Sequence, residues 1–488
     1  MPAMFLRAGA VSLVLLLASR LLGLVRESGQ AAAFGATGLG DVAVLMLTLP
    51  DWITGVLASG GLAYVLLPAW ARQGAGQVVA SQRRASHGLA LAGCLLATLL
   101  ALTHPLMLRW LLPGLPNDLV PDAARALLWS AAALPLAMVA AVGAARLQHE
   151  RDFFGLYGAN LVVNLVVIGA LAAVAWQAAG ASTPAVRTLG AGLLVAMAAR
   201  VAWLVWRRRR LPRVQPVSEG SALPRAPVWF WAAAAAGLPL ALPFVARSLA
   251  SREGEGALAT FNYAWKLVEL PLLLAVQLVA TLALGPIARA FARASSRDEA
   301  ATTVRRGFAL AWTLACASAA GLLVAAPALA DLLFGWGRMQ EAALATIAQW
   351  ARIGAWGLLP QALTAIALAV LAAQGRMRAP VIAYGVALWL LVARGPNDGT
   401  ELMLWLNWSA AGVCVTALWA LRDGLRSWLP ARALLAPAAA LLLLWMLLPW
   451  MGAPSQPPLQ LACGVAAGVA VLALAWSASP DLRAALRR

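Results

Sequence analysis

Apolar stretches long enough to cross a bilayer recur from one end of this chain to the other. That repetition limits the fold before any single residue is weighed. A transmembrane helix needs about 20 predominantly apolar residues. A generous count gives fourteen such segments, near 7–26, 42–70, 87–112, 125–146, 154–178, 186–206, 228–250, 261–285, 307–334, 345–373, 380–394, 402–421, 430–450 and 458–477. Of the 488 residues, 62% are hydrophobic and 11% charged, whereas soluble domains carry about 25% charged residues. A soluble fold cannot hide that much apolar surface. The expected class is an all-α polytopic membrane protein with 14 transmembrane helices.

The net charge of +18 would suggest nucleic acid in a soluble protein. Here the basic residues fall in short gaps between apolar runs, the pattern that insertion into an energised membrane produces. With the N-terminus placed in the cytoplasm, 25 of the 37 basic residues lie on the cytoplasmic side, from Arg7 to Arg488. About seven lie opposite, among them Arg109, Arg187 and Arg338. One missed helix would invert every later loop, so the alternation supports both the count and the orientation, with both termini cytoplasmic. The first apolar run continues into Arg20 without a small-residue cleavage site and reads as a retained helix.

One connection is long. Residues 207–227, RRRRLPRVQP followed by SEGSALPRAP, are rich in Pro, Ser and Gly. They divide the chain into a lobe of six spans over 1–212, a cytoplasmic linker over 213–227, a second lobe of six spans over 228–422, and two further spans with a tail over 423–488. Arg207 to Arg210 suit either anionic head groups or the fixing of topology. Prolines such as Pro50, Pro135, Pro239, Pro243, Pro271, Pro286, Pro327 and Pro360 interrupt the spans. Each frees a carbonyl that lipid tolerates only when neighbouring helices or a cavity cover it.

No enzyme motif is present. A GxxxxGK[ST] loop, HExxH, CxxC and Gly-x-Ser-x-Gly are all missing. The four cysteines, Cys94, Cys316, Cys414 and Cys463, have no pair spacing, so neither disulfides nor a metal site is expected, and no cofactor. The informative residues are charges inside apolar runs, which are expensive unless they face a wet cavity or one another. Arg20, Arg26 and Glu27 sit late in the first run, and Asp41 and Asp51 in the second. Arg20 and Glu27 are two helical turns apart and share a face. In the eighth run Lys266 and Glu269 form an i,i+3 pair, which leaves Lys266 either self-neutralised or facing an anion. Cations in a wet cavity suit a diphosphate, because guanidinium forks match phosphate oxygens. Asn160, Asn164 and Gln277 suit helix–helix contacts. Asn262 and Tyr263 suit either a sugar contact or an anchor for their helix.

The opening stretch also carries a resemblance. Ser19-Arg20-x-Leu22-Gly23-x-x-Arg26-Glu27, Phe34-Gly35-Ala36, Asp41, Leu49-Pro50 and the small-residue turn before Tyr64 and Pro68 resemble the signature of the MurJ/MviN family. These are lipid II flippases of the multidrug/oligosaccharidyl-lipid/polysaccharide exporter superfamily. Asn262-Tyr263-Ala264-x-Lys266-Leu267-x-x-Leu270-Pro271 and Gln374-Gly375-x-x-Arg378-x-Pro380 are further echoes. The resemblance implies a two-lobed, V-shaped inner-membrane transporter with a central cationic cavity. Spans 13 and 14 would form a groove for an undecaprenyl tail. The cargo would be an undecaprenyl-diphosphate-linked saccharide, moved to the periplasmic leaflet by alternating access and driven by the membrane potential or an ion gradient.

Carried over, Arg20, Arg26 and Lys266 become substrate-binding cations beside Asn262 and Tyr263, while Glu27, Asp41 and Glu269 gate or balance charge. The partners would be that substrate, membrane lipids and envelope glycan synthesis proteins, with the chain a monomer and no nucleic acid involved. The chain departs from the family pattern at Lys266, where the family typically has an arginine, and at three further places. Thr54-Gly55 replaces paired arginines, Ala58-Ser59-Gly60 replaces Ala-Glu-Gly, and Trp265 replaces an acidic residue. These departures keep lipid II and a related glycan precursor, such as an exopolysaccharide unit, both open. A cation-coupled drug or small-solute exporter of the same superfamily, or a non-transporting scaffold for envelope synthesis, are the alternatives.

Overall fold

A computed structural model describes residues 2–57, 61–177, 182–212, 214–217, 223–273, 279, 287, 297–396, 398–450, 456–480 and 482–483. Among these the chain is helical throughout, and it divides into two compact units. The first comprises residues 1–259 with 336–339, the second 260–335 with 340–488.

The first unit holds α1 (Pro2–Phe34), α2 (Gly38–Val56), α3 (Leu62–Trp70), α4 (Ala75–Leu111), α5 (Val120–His149), α6 (Phe153–Ala175), α7 (Ser182–Arg208) and α8 (Ala226–Ala250). It also holds the first residues of α9 (Ala257–Pro271). Local chemistry sets the helix starts. Thr37, in an extended conformation, caps α2 by accepting the Gly40 N–H, and Asp152 caps α6 by accepting that of Gly155. Helix α5 packs on α2, α4 and α7. About half of its buried residues are alanines, including Ala126, Ala133, Ala137 and Ala141, which lets helix axes approach closely. The Ser130 hydroxyl donates to the Met46 carbonyl at 2.8 Å, tying α5 to α2. Asn164 Nδ2 donates to the Ser19 carbonyl at 3.3 Å, joining α6 to α1. Such bonds between membrane helices average about 0.6 kcal/mol, so close packing carries more of the association.

The second unit holds the rest of α9, then α10 (Arg297–Phe334), α11 (Glu341–Ala355), α12 (Leu358–Ala373), α13 (Arg378–Arg394) and α14 (Gly399–Ala420). It ends with α15 (Arg422–Trp428), α16 (Ala431–Leu447) and α17 (Pro457–Ala478). Helix α10 is its hub, packed by α11, α12, α16 and α17. Trp312 Nε1 donates to the Leu434 carbonyl at 2.8 Å and Asn407 Nδ2 to that of Ile353 at 2.7 Å. Along the seam between α10 and α17 the residues are small. A methyl on Gly464 would meet the Ala325 methyl at 2.5 Å and the Gly321 carbonyl at 3.0 Å, and one on Gly468 would meet the Ala317 carbonyl at 3.1 Å. Ala317, Gly321 and Ala325 thus face Gly464 and Gly468, each row spaced by four residues as close helix packing in lipid requires.

The surface inverts that of a soluble protein. Leu102 is 76% exposed, Trp408 71% and Val415 67%, while the core is alanine-rich. Among the described residues ten helices (α2, α4 to α8, α10, α14, α16 and α17) are long and apolar enough to cross a membrane, and α11 with α12 makes an eleventh span if that pair, bent by 47°, is counted as one. The bend falls just before Pro360, consistent with the backbone bond that proline removes. Ala58-Ser59-Gly60, Gln277 and Pro286 lie outside the described residues.

Candidate functional site

The charges of the opening stretch meet across the α1–α2 hairpin. The Arg26 guanidinium holds Asp51 Oδ2 at 2.8 Å with one nitrogen and Glu27 Oε1 at 3.0 Å with the other. Its side chain is 13% exposed. Asp51 follows Pro50, inside α2 and 25 positions along the chain, so the pair belongs to tertiary structure. Glu27 is buried, whereas Arg20, two turns earlier on the same side of α1, is exposed. The arrangement is a cation clamped by two carboxylates, one of them accessible.

A second buried cation, within electrostatic reach of Asp51, was not among the expected site residues. Arg200 of α7 is 6% exposed, and its Nη2 donates to Asn160 Oδ1 of α6 at 3.1 Å. Its Nε has no hydrogen-bond partner among the described residues. The only signal in the sequence is a lone arginine inside LLVAMAARVAWLV, where an intramembrane charge is a functional candidate by default. Asn160 and Asn164 both join helices, the role expected of them.

Asp41 is 1% exposed, and both its oxygens are occupied. Oδ2 accepts the Gly256 N–H at 2.8 Å and Oδ1 that of Ala259 at 2.7 Å, so it caps the start of α9. Glu255 returns the contact by accepting the Gly38 N–H at 3.0 Å at the start of α2. Each helix start is thus closed by a carboxylate placed at the other. Gly256, at φ +78°, permits it, because a side chain there would run into the Ala36 carbonyl.

In the second unit Lys266 Nζ bonds Glu269 Oε2 at 2.9 Å, the i,i+3 pairing read from the sequence. Both side chains keep about a quarter of their surface exposed, 23% and 26%. Asn262 and Tyr263 are fully buried, and the Tyr263 ring lies 4.9 Å from that of Phe334. They stand in the core about one turn before Lys266 along α9, anchoring that helix within its unit.

At the end of α7 the Arg207 guanidinium grips Asp152 with two hydrogen bonds of 2.9 and 2.8 Å. Burial raises the Asp152 carboxyl, but the bonds and charge of Arg207, the Gly155 N–H and the charge of Arg210 outweigh it and hold the group below the usual carboxylate value. Arg210 lies 3.9 Å over the Trp206 ring.

A family model described as Lipid II flippase MurJ matches residues 30–420. The chain belongs to the MurJ family. As a MurJ-family member it is a multi-pass inner-membrane transporter that flips a lipid-linked saccharide, and not an enzyme. The probable lipid II flippase MurJ of Rhizobium meliloti (strain 1021) is 25% identical over 487 residues, covering 95% of this chain and 86% of that protein. Among solved structures, lipid II flippase MurJ in an inward closed conformation superposes with a TM-score of 0.77 at 13% identity, covering 96% of this chain and 99% of that one. An inward-facing multidrug resistance MATE family transporter of the MOP superfamily gives 0.59 at 15% identity, with 88% and 96% covered. At those identities the superpositions speak for the fold alone. The MurJ-family fold and the clamped Arg26 therefore stand on separate observations.

Proposed function

We propose that this MurJ-family chain carries an undecaprenyl-diphosphate-linked saccharide, lipid II or a related glycan precursor, from the cytoplasmic to the periplasmic leaflet by alternating access. In this reading it has 14 spans, arranged as lobes over 1–212 and 228–422, a cytoplasmic linker over 213–227, and two last spans and a tail over 423–488. Both termini are cytoplasmic. Arg20, Arg26 and Lys266 supply positive charge to the diphosphate. Glu27 and Glu269 hold those cations in place until substrate arrives, Asp41 secures the start of α9, and Asn262 and Tyr263 support Lys266 from the preceding turn. The membrane potential or an ion gradient drives the cycle.

The observation that supports this most is Arg26. A guanidinium within an apolar run, held by carboxylates of α1 and α2, is a cation kept ready for anion exchange. Low-dielectric surroundings strengthen its hold on a phosphate oxygen, while competing carboxylates make release possible. The test is transport in vesicles of fluorescent undecaprenyl-diphosphate disaccharide with and without the pentapeptide, comparing wild type with Arg26→Ala. Movement of the peptide-bearing form alone assigns lipid II, and movement of both assigns the wider glycan class. Movement of neither overturns the proposal.

A further inference from the structure

Arg200 is a buried cation with no carboxylate bonded to it among the described residues. It is 94% withdrawn from solvent by the 6% exposure, it makes one hydrogen bond to a neutral amide, and its Nε is unpaired. An uncompensated charge in such a place is strongly destabilising, and an ionisable side chain kept inside a span is a functional candidate by default. The nearest supply of negative charge is Asp51, whose field reaches Arg200 and whose helix α2 packs on α7. Asp51 is bound at 2.8 Å by Arg26, yet its side chain is 37% exposed, so it has room to turn. One carboxylate is therefore within electrostatic reach of two guanidinium groups and is bonded to only one of them.

We propose that Asp51 is a shared counter-ion that moves from Arg26 to Arg200 when the substrate's diphosphate occupies Arg26, which makes Arg200 a positioning residue for substrate binding. This rests on the reading of Arg26 as a diphosphate-binding cation. The exchange removes the main cost of recruiting Arg26. Without a second guanidinium, the arriving phosphate would leave Asp51 ionised, unpaired and next to another anion. With Arg200 waiting, the displaced carboxylate falls into a site already desolvated and positively charged. Arg200 then need not touch the substrate to affect its affinity.

The test is a double-mutant cycle on the affinity of undecaprenyl diphosphate for the purified full-length protein, with apparent Tm as a check on folding. Arg200→Gln is expected to weaken binding about tenfold, within the range of coupled neighbours. Asp51→Asn is expected to bind at least as tightly as wild type, since nothing then competes for that face of Arg26. In the Asp51→Asn background Arg200→Gln should have no further effect, and Arg200→Lys should recover part of the loss in the native background. An equal loss in both backgrounds would mean direct contact of Arg200 with phosphate and would overturn the exchange, as would no loss in either. Wild-type protein that fails to bind the probe would overturn the substrate reading and the exchange together, whereas binding without coupling would overturn the exchange alone.

Discussion

Asp41 Oδ1 accepts the backbone N–H of Ala259 at 2.7 Å, across 218 positions of sequence. With the Gly256 bond it satisfies two of the amide donors that the start of α9 leaves without partners. Asp41→Ala is expected to lower stability by about 1–3 kcal/mol, the cost of stranding buried donors. Asp41→Asn keeps one acceptor oxygen and should lose less. Apparent Tm in detergent, followed for both variants, checks the order.

Arg26→Ala removes a cation from between two carboxylates. Transport of labelled substrate into vesicles should fall at least tenfold, the effect of about 1.4 kcal/mol. Arg26→Lys should retain some transport but bind more weakly, because an ammonium cannot span both acids as the guanidinium fork does. Equal initial rates for all three proteins would remove Arg26 from the mechanism.

Lys266 and Glu269 offer a test in the opposite direction. Glu269→Gln takes away the carboxylate bonded to Lys266 at 2.9 Å. At substrate concentrations below KM this variant should transport faster than wild type, and Lys266→Ala slower. A pair that serves only helix stability would instead give two variants with lowered Tm and unchanged KM.

The Asp152–Arg207 pair sets an acid limit outside the spans. Its folded carboxyl lies below the ordinary value of 3.8, so the pair's stabilisation is present above that value and is lost as pH falls through the folded one. The difference in Tm between wild type and Arg207→Gln should therefore be constant from neutral pH to about 5, and close only below about 4. A gap that closes near neutrality would assign the titration to another group.

Much of this was legible in the sequence, and the rest failed for physical reasons. Apolar runs marked the helices because lipid demands them, and the Lys266–Glu269 pair followed from helical spacing alone. Asn160 and Asn164 read as ties between helices because an amide set in an apolar span seeks a polar partner on a neighbouring helix. The Arg26–Asp51 contact did not show, because no periodicity links residues on either side of a hairpin. Arg200 was passed over because its surroundings look like ordinary span. Only α6, brought alongside, reveals that it has a neutral partner in place of an acid. The burial of Asn262 and Tyr263 was likewise invisible, since a sequence does not say which side of α9 faces its unit.

The glycine-to-alanine seam that joins α17 to α10 has a mechanical consequence. Backbones that close leave no clearance for one helix to slide or roll on the other, so the two must travel as a single lever. The bulky outer row of α17, with Leu459, Val465, Val469 and Leu474 turned outward, is then carried wherever α10 goes. A prenyl chain lying against that row would feel every tilt of the hub at first hand.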